Sequence, residues 1–250
     1  MSAWLEGTVV GQTRWTDRLL SLKVETPGEA PKVQFEAGQF GKLALDAEGE
    51  RVARPYSFVN PPGTGPLEFY YAIVEGGPLS PRLAMLGAGD KVHVASSAAG
   101  FLVLSEVPDA SNLWLVATGT GVGPFLSILR TETPWKRYGR VVLVQAARYA
   151  SELAYGEAVG EIAKAHAGRF SYVSITSRDD SGRLRGRIPA LAADGSLEAK
   201  AGTELSAAAS QVMLCGNPDM VRDSIAVLAT RGMKKHRRRN PGQITVENYW

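Results

Sequence analysis

What most limits the folds open to this chain is a change of texture after Glu106-Val107-Pro108-Asp109. Before it, from Trp4 to about Val107, short β-like runs are punctuated by Gly, Pro and Asp with little helical periodicity. That is the pattern of a small antiparallel barrel. Beyond it, buried apolar strands alternate with helical segments, as in a parallel sheet covered on both faces. The expectation is a two-domain chain, residues 1–107 forming an antiparallel β-barrel and residues 108–250 an α/β domain built on a parallel sheet. The 250 residues, 44% hydrophobic, suffice for two cores.

Barrel strands are expected over residues 7–12, 19–25, 39–45, 51–60, 67–74 and 91–95. The fourth contains Arg54-Pro55-Tyr56-Ser57, a cation, an aromatic ring and a small hydroxyl within four residues. Extended backbone puts Arg54 and Tyr56 on one face. There a guanidinium can grip a phosphate bidentately while a phenol ring lies against a planar cofactor. Ser57 would point to the other face unless the strand ends or bulges. The plainer alternative is a half-buried strand carrying a surface arginine. A helix is expected over residues 79–86, with Ser80 as N-cap and Pro81 at the first helical position. Either it is an ordinary capped connector or, with Arg82 beside it, it offers an N-terminus to a phosphate.

In the second half, the strand over residues 113–118 runs into Gly119-Thr120-Gly121-Val122-Gly123-Pro124 and a helix over 125–130. Alternate glycines let backbone N–H groups approach a pyrophosphate, although the spacing departs from the dinucleotide fingerprint. The next strand, residues 140–147, ends at Ala147-Arg148. An arginine there suits a 2′-phosphate, where an acidic residue would suit a ribose hydroxyl, so NADP is expected over NAD. A strand over 170–176 delivers Ser177-Arg178, and a loop adds Arg183, Arg185 and Arg187, which form either part of a phosphate clamp or, for Arg183 and Arg185, a solvated loop. Residues 211–214 run into Cys215-Gly216-Asn217-Pro218 and a helix over 219–229. Cys215 is either a ligand-facing group at the carboxyl edge of the sheet or a small buried hydrophobe.

Several function classes are excluded or weakened. One cysteine excludes an internal disulfide and a protein-held iron–sulfur cluster, so redox chemistry would need an organic cofactor. The three histidines show no metal-ligand spacing, and no metal is expected. With 28 Lys and Arg against 25 Asp and Glu, no global field for a polyanion is implied. The run Lys234 to Arg239 is a solvated arm or a partner patch, and no nucleic-acid module accompanies it. No stretch of eighteen apolar residues and no export signal are present, which gives the expectation of a cytoplasmic protein without a membrane span. The terminal Trp250 is expected to dock on something rather than fray.

Taken in order, Arg-x-Tyr-Ser, Gly-Thr-Gly-x-Gly-Pro, Ala-Ala-Arg, Ser-Arg, Cys-Gly-Asn-Pro and a final Glu-x-Tyr-Trp resemble the bacterial ferredoxin (flavodoxin)–NADP reductases over essentially the whole chain. The resemblance implies that residues 1–107 bind FAD and that residues 108–250 bind NADP(H), with the C-terminal tail returning to the flavin. It implies hydride exchange between NADP(H) and FAD and single-electron exchange with a ferredoxin or flavodoxin, by a chain expected to be monomeric. Arg54 would hold the FAD phosphates, Tyr56 would stack on the flavin, and Ser57 would approach its N5. Pro55 stands where the family varies and stiffens the strand. Tyr70, Tyr71, Ala72 and Ile73, then Pro78, Leu79 and Ser80, would line the rest of the FAD site, with Thr120 near it. Ala147, Arg148, Ser177, Arg178 and Arg187 would surround the adenosine 2′-phosphate, with Arg178 flanked by the acidic Asp179 and Asp180. Cys215 and Asn217 would lie near the nicotinamide, and Trp250 would cover the other flavin face. Ser57 and Cys215 are the expected catalytic positions. Glu247 is either a proton relay or a solvated tail carboxylate, and the basic run would steer an acidic carrier. A flavin or quinone reductase on the same scaffold is the rival enzyme.

Overall fold

A computed structural model describes residues 3–28 and 33–248. Six strands make the first sheet: β1 (Trp4–Arg14), β2 (Leu19–Glu25), β3 (Phe40–Ala47), β4 (Glu50–Ser57), β5 (Leu67–Ala72) and, after the short helix α1 (Ser80–Leu83), β6 (Lys91–Ala95). They lie in the order β4-β3-β6-β1-β2-β5, with every pairing antiparallel. Alternate residues such as Leu20, Leu22 and Val24 on β2 meet Leu43, Phe58, Phe69 and Val94 in a closed apolar interior.

Closure depends on the end of β4. Up to Ser57 the strand pairs with β3, but Phe58 bridges to Phe69 and the Val59 N–H donates to Glu68 O at 2.9 Å. The chain therefore crosses from one sheet edge to the other immediately after Ser57. This crossing frees Ser57 from strict two-residue alternation, so consecutive residues 54–57 all reach one cavity.

The second sheet contains β7 (Asn112–Thr118), β8 (Arg140–Ala147), β9 (Phe170–Thr176), β10 (Leu184–Arg185), β11 (Ser210–Gly216) and β12 (Ile244–Asn248), in the order β10-β9-β8-β7-β11-β12 and parallel throughout. Helices α2 (Val122–Leu129), α3 (Thr133–Arg137) and α4 (Gly156–Ala165) follow β7 and β8. Beyond β10 come α5 (Ile188–Ala193) and α6 (Ser196–Ala201), and beyond β11 comes α7 (Pro218–Thr230). Strand alternation divides the apolar residues between two layers. Leu113, Leu115 and Ala117 pack with α2, whereas Trp114 and Val116 pack with residues of α5, α6 and α7. Trp114 is fully buried and its Nε1–H finds Glu204 O at 3.1 Å, which removes the cost of sealing an indole N–H in the interior. No described helix is long and apolar enough to cross a membrane.

The two sheets share one core. Leu19, Val59 and Tyr70 of the barrel pack with Val122, Phe125 and Leu126 of α2. A polar lock sits in the same seam. The Tyr155 hydroxyl donates to Glu68 Oε1 at 3.0 Å, and Ser127 Oγ donates to Asn60 O at 2.8 Å. Glu68 is only 8% exposed, so Tyr155→Phe strands a buried carboxylate oxygen. Chemical denaturation is expected to show a loss of about 1–3 kcal/mol for that variant, and an unchanged midpoint would mean that the hydrogen bond contributes nothing net.

Several sequence expectations need correction. Ser80 does not cap α1: it is the first residue of the helix, and its Oγ accepts the Val74 N–H at 2.9 Å. The expected helix over 79–86 is one turn, because the chain turns again over 84–90 to enter β6. The glycine-rich segment turns into a helix as expected, through a 3-10 turn over Gly119–Gly121, but α2 begins at Val122 rather than at Phe125. Strand β12 and helices α3, α4, α5 and α6 have no sequence expectation, and Leu184–Arg185, expected in a loop, forms β10.

Candidate active site

Two cavities adjoin at the carboxyl edge of the parallel sheet. Open α/β sheets bind ligands where successive connections leave in opposite directions, here between β7 and β11. Glycine makes that junction possible. A Cβ on Gly121 would come within 2.4 Å of Cys215 O, and one on Gly216, whose φ is +131°, within 2.3 Å of Thr118 Oγ1. Thus Gly121 serves close packing of the two strand ends, while Gly119, with φ +53° and open space around it, faces the second cavity.

The first cavity, about 500 Å³, lies between the barrel and the second sheet. Arg54, Pro55, Tyr56 and Ser57 form one wall, Tyr70, Tyr71 and Ala72 another, and Pro78, Leu79, Ser80 and Thr120 the remainder. Phe40, Val74, Gly77, Glu247 and Asn248 complete it. Tyr56 meets Tyr71 edge-on at 5.9 Å between ring centroids. Burial pushes the Tyr56 phenol up to about 12, against a smaller opposing pull from Arg54, so the ring stays neutral. Arg54 is exposed and its Nη1 donates to Ala53 O at 2.7 Å, which leaves most of its donors available.

Ile73, expected here, belongs instead to the second cavity, since it follows Ala72 at the end of β5 and its N–H bonds Arg18 O at 2.8 Å.

Glu247 is the feature the sequence left undecided. It lies on β12, in register with Cys215 of β11, so it is a sheet residue and not a solvated tail. Its Oε1 is buried without a hydrogen-bond partner among the described residues, and burial pushes the carboxyl up to about 7. The Tyr70 hydroxyl is likewise buried and unpartnered among the described residues. Both residues line the same apolar, aromatic cavity, whose size and lining suit a heteroaromatic ligand. The residues fit a flavin.

The second cavity, about 610 Å³, gathers Ala147, Arg148, Ser177, Arg187 and Asn217. Arg18, Thr118, Glu152, Asp219 and Asp223 also line it, none of them anticipated from sequence. Parallel pairing of β8 with β9 places Arg148 and Ser177 at adjacent strand ends. Asn217 is the N-cap of α7, its Oδ1 accepting the N–H groups of Asp219 at 2.9 Å and Met220 at 3.2 Å. Its own N–H donates to Thr118 Oγ1, which stitches the β7 and β11 ends together. The pair of arginines, the strand-end serine and the glycine turn suit a phosphorylated adenosine.

Not every expected residue reaches a cavity. Arg178 is exposed and lines neither; its N–H bonds Arg148 O at 2.8 Å, so it supports the Arg148 turn through the backbone. Cys215 is fully buried within the core and lines neither cavity. Arg185 is paired with Asp180 at 2.8 Å, away from both. Trp250 lies outside the described residues.

Comparison with known proteins agrees with this geometry. Residues 6–101 match the family described as Oxidoreductase FAD-binding domain, and residues 115–225 match Oxidoreductase NAD-binding domain. The chain is 50% identical to a flavodoxin/ferredoxin–NADP reductase of Shigella flexneri and 49% identical to that of Escherichia coli K12, in each case over 252 residues and 100% of both chains. Among solved structures, a ferredoxin–NADP+ reductase from Neisseria gonorrhoeae with bound FAD and NADP superposes with a TM-score of 0.93 at 30% identity, covering 100% of each chain.

Proposed function

Since the chain belongs to the flavodoxin/ferredoxin–NADP reductase family, we propose how its two adjoining cavities divide the work. The protein is an FAD-dependent oxidoreductase that exchanges hydride between NADP(H) and FAD and single electrons with a ferredoxin or flavodoxin. One observation carries the division of roles: Thr120 and Ala72 line both cavities, so ligands in the two spaces meet across those residues.

FAD, when bound, supplies the hydride and single-electron chemistry, and the chain supplies position and electrostatics. Arg54 takes the FAD phosphates at the open end of the first cavity, and Tyr56 offers its ring to the flavin plane. Ser57, fixed where β4 leaves β3, presents its hydroxyl to the flavin edge. Tyr70 contributes a buried donor. Glu247, with a carboxyl titrating near neutrality, holds or releases a proton at the cavity wall. In the second cavity Arg148, Arg187 and Ser177 take the adenosine 2′-phosphate. The edge formed by Thr118, Gly119, Gly216 and the α7 N-terminus with its cap Asn217 receives the rest of the nucleotide. Cys215 acts from beneath this edge, as packing that fixes the β11 end, and Arg178 acts by bracing Arg148. Trp250 belongs to the same proposal, as the cover of the exposed flavin face. We place the domain boundary at 107/108, between the end of the antiparallel sheet at Ala95 and the start of the parallel sheet at Asn112.

The electron carrier docks on the basic run, in a cytoplasmic enzyme that acts as a monomer. The run is not a loose arm. Lys235 bridges Ile244, Arg237 and Asn240 close a turn, and Arg238 pairs with Glu106 at 2.5 Å while lying 4.8 Å from the Phe101 ring centre. Arg237 and Arg239 are exposed on this hairpin. Their joint replacement by alanine is expected to raise the carrier KM about tenfold at low salt, with the difference shrinking as salt rises. Reduction of a small dye by NADPH should be unchanged. If dye reduction fell in parallel, the hairpin would be supporting the nucleotide site and the docking assignment would fail.

A further inference from the structure

Arg148 is not an unneutralised cation waiting for phosphate. Glu152, four residues on, accepts from Arg148 Nη2 at 2.6 Å and Nε at 3.1 Å, and also from the Arg148 backbone N–H at 3.0 Å. The same carboxylate thus occupies one edge of the guanidinium fork and closes the turn after β8. Its side chain is only 14% exposed, yet it lines the second cavity together with Arg148, Ser177 and Arg187. Held by a backbone donor as well as the guanidinium, it cannot swing aside without opening that turn. Any group that Arg148 recognises is therefore met by a fixed negative charge a few ångströms behind the cation.

We propose that Glu152 is a specificity-determining residue: its carboxylate offsets the charge of Arg148 and so limits how strongly the cavity prefers a 2′-phosphate to a 2′-hydroxyl. The inference rests on the assignment of Arg148 to the adenosine 2′-phosphate. A phosphate monoester carries close to two negative charges at neutral pH, so it feels the carboxylate as a like charge, whereas a hydroxyl does not. Arg148 retains unused donors on its Nη1 side, so the phosphate can bind without displacing Glu152; what it loses is net attraction. The consequence for turnover is an NADP(H) site whose grip is held down by a group inside the protein, which speeds release of the nucleotide in either redox form.

Glu152→Gln is the direct test, because the glutamine oxygen still accepts the Arg148 backbone N–H while the charge, and with it the acceptor facing the guanidinium, is removed. Calorimetric binding of 2′,5′-ADP and of 5′-AMP to the FAD-loaded protein separates the 2′-phosphate from the rest of the ligand. The variant is expected to bind 2′,5′-ADP about tenfold more tightly than the parent, the effect of removing one screened like charge. Its affinity for 5′-AMP should stay within about twofold, and its thermal midpoint should not move. Glu152→Asp, which restores the charge on a shorter arm, should return 2′,5′-ADP affinity toward the parent value. Unchanged or weaker 2′,5′-ADP binding in a folded Glu152→Gln protein would overturn the proposal, as would an equal change for both nucleotides. If the parent itself did not prefer 2′,5′-ADP to 5′-AMP, the assignment of Arg148 would fail first and the proposal with it.

Discussion

Arg148→Ala is expected to weaken NADPH binding by about one to two orders of magnitude, the range that one charge-assisted hydrogen-bonded contact is worth, and to leave NADH binding nearly unaltered. The loss should fall at the upper end of that range, because removing the guanidinium leaves Glu152 uncompensated beside the incoming phosphate. Steady-state kinetics separate the effect cleanly: KM for NADPH rises while kcat at saturation holds, since the contact is remote from the reacting atoms and is made equally in ground and transition states. Arg187→Ala should act in the same direction. Arg178→Ala should do much less, because Arg178 lines neither cavity. An Arg148→Ala enzyme that retained parental selectivity for NADPH would place the 2′-phosphate elsewhere in the cavity.

The second large effect is on stability as a function of pH. Burial raises the Glu247 carboxyl from its ordinary 4.5 to about 7. The folded protein then holds a proton that the unfolded chain has already released, so between pH 4.5 and 7 the folded state binds more protons and loses stability as pH rises. Across that window the penalty approaches about 3 kcal/mol, present in full above pH 7 and absent below 4.5. Urea unfolding of FAD-free protein at pH 5 and pH 8 measures it, and Glu247→Gln should remove most of the difference while raising stability at pH 8. If the glutamine variant kept the parental slope, the carboxylate would be solvated and could not serve as the proton donor at the cavity.

Much of this architecture is legible in the sequence, and the parts that are not have identifiable reasons. Arg54 to Ser57 announce the first cavity by themselves, because a cation, a ring and a hydroxyl within four residues are chemically conspicuous, whereas Tyr70 to Ala72 and Thr120 come to it only through the family resemblance. The way β4 crosses to β5 after Ser57 is a long-range closure, and no local pattern around Phe58 encodes it. Strand β12 is not legible because Ile244 to Asn248 is short and sits in a polar context; its pairing with β11 is decided by the fold, and that pairing turns Glu247 from a tail residue into a half-buried sheet residue. Thr118 and Glu152 are unremarkable as letters. Only the parallel pairing of β7 with β11 and the turn after β8 bring them to the nucleotide edge. Ser80 misled in the opposite direction: serine before proline has the composition of a helix cap, but its hydroxyl is spent on Val74.

The division of labour between the two cavities is tested most directly by anaerobic titration of the FAD-loaded protein with NADPH and, separately, NADH, following the visible absorbance of the flavin. Bleaching at NADPH concentrations at least tenfold below those needed for NADH is the expected result, since only NADPH offers a 2′-phosphate to Arg148 and Arg187. Equal bleaching by the two nucleotides would contradict the phosphate clamp, and a protein that could not be loaded with FAD at all would contradict the assignment of the cavity around Arg54, Tyr56 and Ser57.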